Sequence, residues 1–124
     1  MARPRSRKRF RRPTGDSGMV TAEAVMVMPV LFLLLALLIA TLAVVNAKMK
    51  AVDASREAAR LAARGESTAA AVAAGRRLGP QHAAVVLRDR SHWVEAIVTA
   101  EVKLFRSLPG LTVTASTLAE REEP

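Results

Sequence analysis

Residues 24–47 read AVMVMPVLFLLLALLIATLAVVNA, and no charged side chain interrupts them. Coiled as an α-helix, the stretch is roughly 36 Å long, enough to cross a hydrocarbon core of about 30 Å. Fourteen of its positions are Leu, Ile, Val or Phe. At about −0.3 to −0.6 kcal/mol each, they contribute on the order of −4 to −8 kcal/mol to insertion. A soluble helix that is apolar on all sides must be wrapped by protein. A chain of 124 residues has too little left over to do that. The stretch therefore reads as a transmembrane span. Pro29 lies near its N-terminal end, removes one helix hydrogen bond and is expected to kink the helix locally.

Upstream of the span the chain begins MARPRSRKRFRR. The net charge is +8, and the leader supplies most of it: Arg3, Arg5, Arg7, Lys8, Arg9, Arg11 and Arg12 face Asp16 alone before residue 19. Clustered basic residues neutralise nucleic-acid phosphates. They also hold the flank of a membrane span in the cytoplasm and touch anionic headgroups. The apolar run so close behind favours the membrane reading, with no nucleic-acid partner. A twin-arginine export signal at Arg11-Arg12 is a weaker reading, because Pro13-Thr14-Gly15 follows the pair instead of an apolar continuation. Lys48 and Lys50 are the basic residues close to the other end of the span. The expected orientation is N-terminus cytoplasmic and C-terminal body outside a cell (inner or plasma) membrane.

Glu23 stands where leader and span meet. A carboxylate in hydrocarbon costs up to about 2.5–3.5 kcal/mol, less toward the interface. One reading is an interfacial Glu favoured by the helix dipole. The other is a charge partner for a cation in the membrane, such as the free amine of a neighbouring chain. The local sequence offers a way to make that amine. In Gly18-Met19-Val20-Thr21-Ala22-Glu23, a glycine is followed by four residues, a glutamate and an apolar run. Cleavage after Gly18 would expose the Met19 amine.

This arrangement resembles the processing site of type IV prepilins, in which a prepilin peptidase cuts after glycine on the cytoplasmic side and glutamate is the fifth mature residue. The stretch from Gly18 to Gly65 resembles TadE-like pseudopilins of the tight-adherence (Tad/Flp) pilus system. The resemblance is carried by Thr21-Ala22-Glu23-Ala24, Pro29, the leucine run, and Asp53-Ala54-Ser55-Arg56-Glu57-Ala58-Ala59-Arg60 leading to Ala63-Arg64-Gly65. It implies a minor pilin-like structural subunit of a pilus assembly or secretion system. Gly18 and Met19 would be the processing site and Glu23 the assembly contact. The implied partners are the membrane, a prepilin peptidase, other pilins or pseudopilins and the Tad secretion machinery. Two alternatives stand beside it. One is an unprocessed single-pass anchor whose outer domain binds an envelope partner. The other is secretion by signal peptidase I after Val45-Asn46-Ala47. That enzyme takes apolar regions of about 7–15 residues, and this one is longer.

Beyond the span no helix breaker appears before Gly65, and Ala, Met, Arg and Glu all favour helix. One continuous helix is expected from about Met19 to Arg64, with Gly65 as its stop. Asp53 and Glu57 can pair with Arg56, Arg60 and Arg64, and Ala54, Ala58 and Leu61 share one face. That face suits either the domain or a neighbouring subunit. Ser67 is placed to cap a second helix through Leu78, closed by Gly79-Pro80. The period then changes to two. Ala84–Arg88 is a short β-rich run, and Trp93–Phe105 alternates with Val94, Ala96, Val98, Ala100, Val102 and Leu104 on one side. Pro109-Gly110 reads as a turn, Leu111–Leu118 as a further strand, and Glu120–Pro124 as a frayed tail. The expected fold is α+β: a long N-terminal transmembrane helix, a short second helix and a small antiparallel sheet. The domains fall at a leader over 1–18 that is removed, a helix over 19–65 with its span at 24–47, and an extracytoplasmic domain over 66–124.

Cysteine is absent, which excludes disulfides, a lipidated cysteine and thiolate metal sites. His82 and His92 have no third histidine or cysteine to complete a zinc site and read as surface or strand residues. Trp93, the one tryptophan, reads as cover for the sheet edge, and Glu95 and Glu101 as solvated. No nucleophile–base set, phosphate loop or metal cluster stands out, so neither enzyme activity, cofactor, metal nor small-molecule substrate is expected.

Overall fold

The computed structural model describes residues 16–122, and its element order is α1, α2, β1, β2, β3. The leader through residue 15 and the last two residues of the expected tail lie outside the described residues. Helix α1 runs Asp16–Ala63 and carries Pro29 in its interior. It starts three residues earlier than Met19. It ends in a Schellman motif. The amide of Glu66 donates to the Leu61 carbonyl (3.1 Å) and that of Gly65 to the Ala62 carbonyl (3.1 Å). Gly65 takes φ +83°, the left-handed conformation that a Cβ would strain.

Residues 36–122 form a compact unit. Its floor is a stripe of small side chains along α1. Ala47, Ala51, Ala54 and Ala58 are all buried, at alternating spacings of four and three. Helix α2, Thr68–Leu78, begins at the expected cap: the Ala70 amide donates to Ser67 Oγ at 3.2 Å. It lies against β1. Gly75 brings it close, since a Cβ there would sit 3.2 Å from the Ala58 Cβ and 3.3 Å from the Ala54 carbonyl oxygen.

The strands β1 (Ala84–Arg90), β2 (Trp93–Val102) and β3 (Leu111–Glu120) form an antiparallel sheet in the order β1-β2-β3. Register pairs Val85 with Val98 and Val98 with Ala115. The period of two places Val85, Val94, Ala96, Val98, Ala100, Val113 and Ala115 inward. Most of these join the α1 alanines in one core cluster. Among the described residues, the largest fully buried side chains are only Val98 and Ser55. A core of Ala and Val holds little apolar area, so the elements must approach closely for dispersion to act.

Three local expectations are corrected. First, β2 stops at Val102, so Leu104 sits in the following loop, half-buried, instead of continuing the inward face. The last cross-strand pair is Val102 with Leu111, which closes the ladder there. Second, the chain reverses at Arg106-Ser107, where Leu108 N–H donates to the Phe105 carbonyl (3.4 Å), and not at Pro109-Gly110. Proline has no N–H to give, and here it precedes the strand. Third, the C-terminal stretch is docked. Glu120 still belongs to β3, the Arg121 amide donates to the His92 carbonyl (2.9 Å), and the Glu122 amide caps the Ala63 carbonyl at the end of α1 (3.1 Å).

Candidate processing and assembly site

The first turns of α1 hold the residues singled out by the sequence. Gly18 and Met19 fall within the first turn and a half after Asp16. Met19 is 73% exposed. Glu23 is exposed too, four residues on and therefore on the same helix face. An amine created at Met19 would share that face with the Glu23 carboxylate. Among the described residues, the ion pairs are Arg60–Glu57 and Arg121–Asp89.

The helix that follows is built for an apolar surround. One apolar span is present by length and composition, and none of its most apolar window is buried within the chain. Leu31, Phe32, Leu33, Leu34, Leu37 and Leu38 are each more than half exposed. Such a surface is unstable in water and is matched by lipid or by the same helix of another chain. Pro29 leaves the Val25 carbonyl without its usual helix donor. Toward the other end the exposure closes. Val44 packs against the core and Ala47 is buried in it, so the last turn of the apolar run belongs to the domain as well.

In the domain, polar groups serve structure. Ser55 is fully buried, donates its hydroxyl to the Val52 carbonyl (2.8 Å) and meets Thr117 Oγ1 at 2.7 Å. The Lys48 ammonium donates to the Thr114 carbonyl, tying α1 to β3 where the span ends. Of the expected helix pairs, Glu57 and Arg60 form a two-pronged contact at 2.7 and 3.0 Å. Hydrogen bonding from Arg60 holds the Glu57 carboxyl below its ordinary range. The charges of Arg60 and Arg64 act in the same direction, against the opposing effect of desolvation. His82 and His92 lie in two separate turns, and His82 takes a left-handed φ of 58°. Sequence reasoning missed the Ser55–Thr117 contact and the cleft that Lys103, Leu104 and Phe105 line with Ala36, Ile39, Ala40 and Ala43 of α1. No sequence signal marks the first. The second could have been suspected from the adjacent apolar residues Leu104 and Phe105.

Residues 18–60 match the family model described as TadE-like protein. The matched segment starts at Gly18 and takes in Met19, Glu23, Pro29, the apolar run and the helix through Arg60. No curated protein and no solved structure matches the chain.

Proposed function

We propose that this chain is a minor pilin-like structural subunit of a Tad/Flp-type pilus assembly or secretion system, made as a precursor and cut by a prepilin peptidase between Gly18 and Met19. The observation that carries the reading is the coincidence of three features at one boundary. The TadE-like segment begins at Gly18, a glutamate follows at the fifth position after the cut, and an apolar helix exposed on all sides follows that. Before cutting, the leader keeps the N-terminus cytoplasmic and the domain of residues 66–124 extracytoplasmic. After cutting, the Met19 amine of one chain and the Glu23 carboxylate of its neighbour form a pair. In a medium of low dielectric such a pair is much stronger than in water, and an unpaired member is strongly disfavoured. That makes Glu23 a register device for assembly. The role is structural and not catalytic, with the membrane, the peptidase, other pilins or pseudopilins and the Tad machinery as partners.

Replacement of single residues in the producing cell tests this. Gly18→Ala is expected to leave the full-length precursor in the membrane fraction. Glu23→Ala is expected to be cut and inserted normally but to abolish pili or lower their number. Normal pili from a Glu23→Ala chain would contradict the charge role, and normal processing of Gly18→Ala would contradict the assigned cut.

A further inference from the structure

The loop between β2 and β3, residues 103–110, reads KLFRSLPG. In a domain whose core is alanine and valine, it places large apolar side chains on the outside: Phe105 is 51% exposed and Leu108 59%. Lys103, Leu104 and Phe105 line one cleft with Ala36, Ile39, Ala40 and Ala43 of α1. A hydrocarbon core of about 30 Å takes roughly 20 helical residues. Counted from Glu23, the outer edge of that core falls near Ala43. The start of the loop thus borders α1 at the level where the acyl chains end.

We infer that the β2–β3 loop is a second membrane contact, seated in the headgroup–acyl boundary of the outer leaflet with Phe105 and Leu108 turned into lipid. The occupant is set by continuity. The stretch of α1 that shares this cleft is the end of the apolar span, so the lipid that surrounds the span reaches the loop. Charge agrees with it. Lys103 and Arg106 alternate with the apolar residues, and both are exposed. Long basic side chains of this kind lay their stems on apolar surface and carry their charge to phosphate groups. The far end of the sheet is different in kind. There Asp89 and Arg90 end β1, Ser91 and His92 form the turn into β2, and Trp93 stands about 30 Å along β2 from Val102. The domain therefore has a lipid end and a water end.

The inference rests on α1 spanning the membrane, and the test separates the two. The full chain is reconstituted in phosphatidylcholine–phosphatidylglycerol vesicles as three single-tryptophan forms: the natural Trp93, and Phe105→Trp and Phe32→Trp, each in a Trp93→Phe background. Emission is read with aqueous iodide and with nitroxide lipids labelled near the headgroup or at mid-chain. The expected result has three parts. Trp93 is quenched by iodide, Phe32→Trp by mid-chain nitroxide, and Phe105→Trp by shallow nitroxide with a blue-shifted emission. Quenching of Phe105→Trp by iodide to the same extent as Trp93 overturns the lipid contact while the span stands. Protection of Phe105→Trp from both quenchers also overturns it and points to a neighbouring protein chain. Failure of the lipid quenchers to reach Phe32→Trp removes the span and this inference together.

Discussion

Ser55 of α1 and Thr117 of β3 meet hydroxyl to hydroxyl at 2.7 Å across the core, 62 residues apart in sequence. Ser55 spends its proton on the Val52 carbonyl, so Thr117 is the donor of the shared bond. The pair fixes how the sheet is seated along the alanine stripe, which by itself offers many near-equivalent seats. Ser55→Ala is expected to cost about 1 kcal/mol, and Thr117→Val a similar amount. The double variant should lose less than the sum, with a coupling of about 0.5–1.5 kcal/mol. Denaturant titration of the full chain in detergent micelles, followed by Trp93 fluorescence, measures all three.

Ala54 and Ala58 have no exposed surface, and both approach Gly75 of α2. A larger side chain at either site must push α2 or the sheet away. Ala58→Leu is expected to destabilise the domain by about 1–3 kcal/mol or more. Met49→Leu, on the exposed side of the same helix, should change stability by less than about 0.5 kcal/mol. The same titration compares them.

Gly65 stops α1 in a left-handed turn, and nothing crowds the position where its Cβ would be. The penalty of Gly65→Ala is therefore conformational alone, about 1–2 kcal/mol. Gly65→Asn should recover part of it, because asparagine tolerates that region. Hydrogen exchange at Gly65 and Glu66 reads the loosening directly.

Glu57 titrates below the ordinary carboxylate range in the folded chain because Arg60 grips it. The Arg60 guanidinium is raised in return and stays charged throughout. A depressed carboxyl adds stability that is complete above its unfolded-state pKa and is lost as pH falls through the folded value. Acidification from neutral pH is therefore expected to loosen the end of α1, and Glu57→Gln should remove this increment of the pH dependence. Both side chains are partly exposed, so added salt should shrink the effect. Helix-end hydrogen exchange between pH 3 and 7, roughly the span of carboxylate titration, checks it.

Sequence patterns expose some of these features and hide others, for physical reasons. The long helix, the Ser67 cap, the Gly65 stop and the alternation of β2 follow from local rules, since each depends on residues within a turn or two of one another. The start at Asp16 is obscured because a charged residue outside an apolar run looks like a flank. The turn at Arg106-Ser107 is masked by the stronger turn signal of Pro109-Gly110. The docked ends of Arg121 and Glu122 depend on backbone acceptors at His92 and Ala63, which a charged terminal sequence cannot announce. The alanine face of α1 left two occupants open, and the sheet takes it from Ala47 onward. Phe105 reads as the end of a strand, just before the turn expected at Pro109-Gly110. Its role emerges only when the loop is seen beside Ile39 and Ala43.

The central claim is that the leader is temporary and that the working subunit begins with the amine beside Glu23. Intact-mass and N-terminal sequencing of the chain from membranes of the producing cell tests this most directly. The account predicts a mature chain beginning at Met19, with residues 19–124 intact. A chain that retains its basic leader would contradict it in favour of a permanent anchor. A chain that begins at Lys48 would contradict it in favour of secretion.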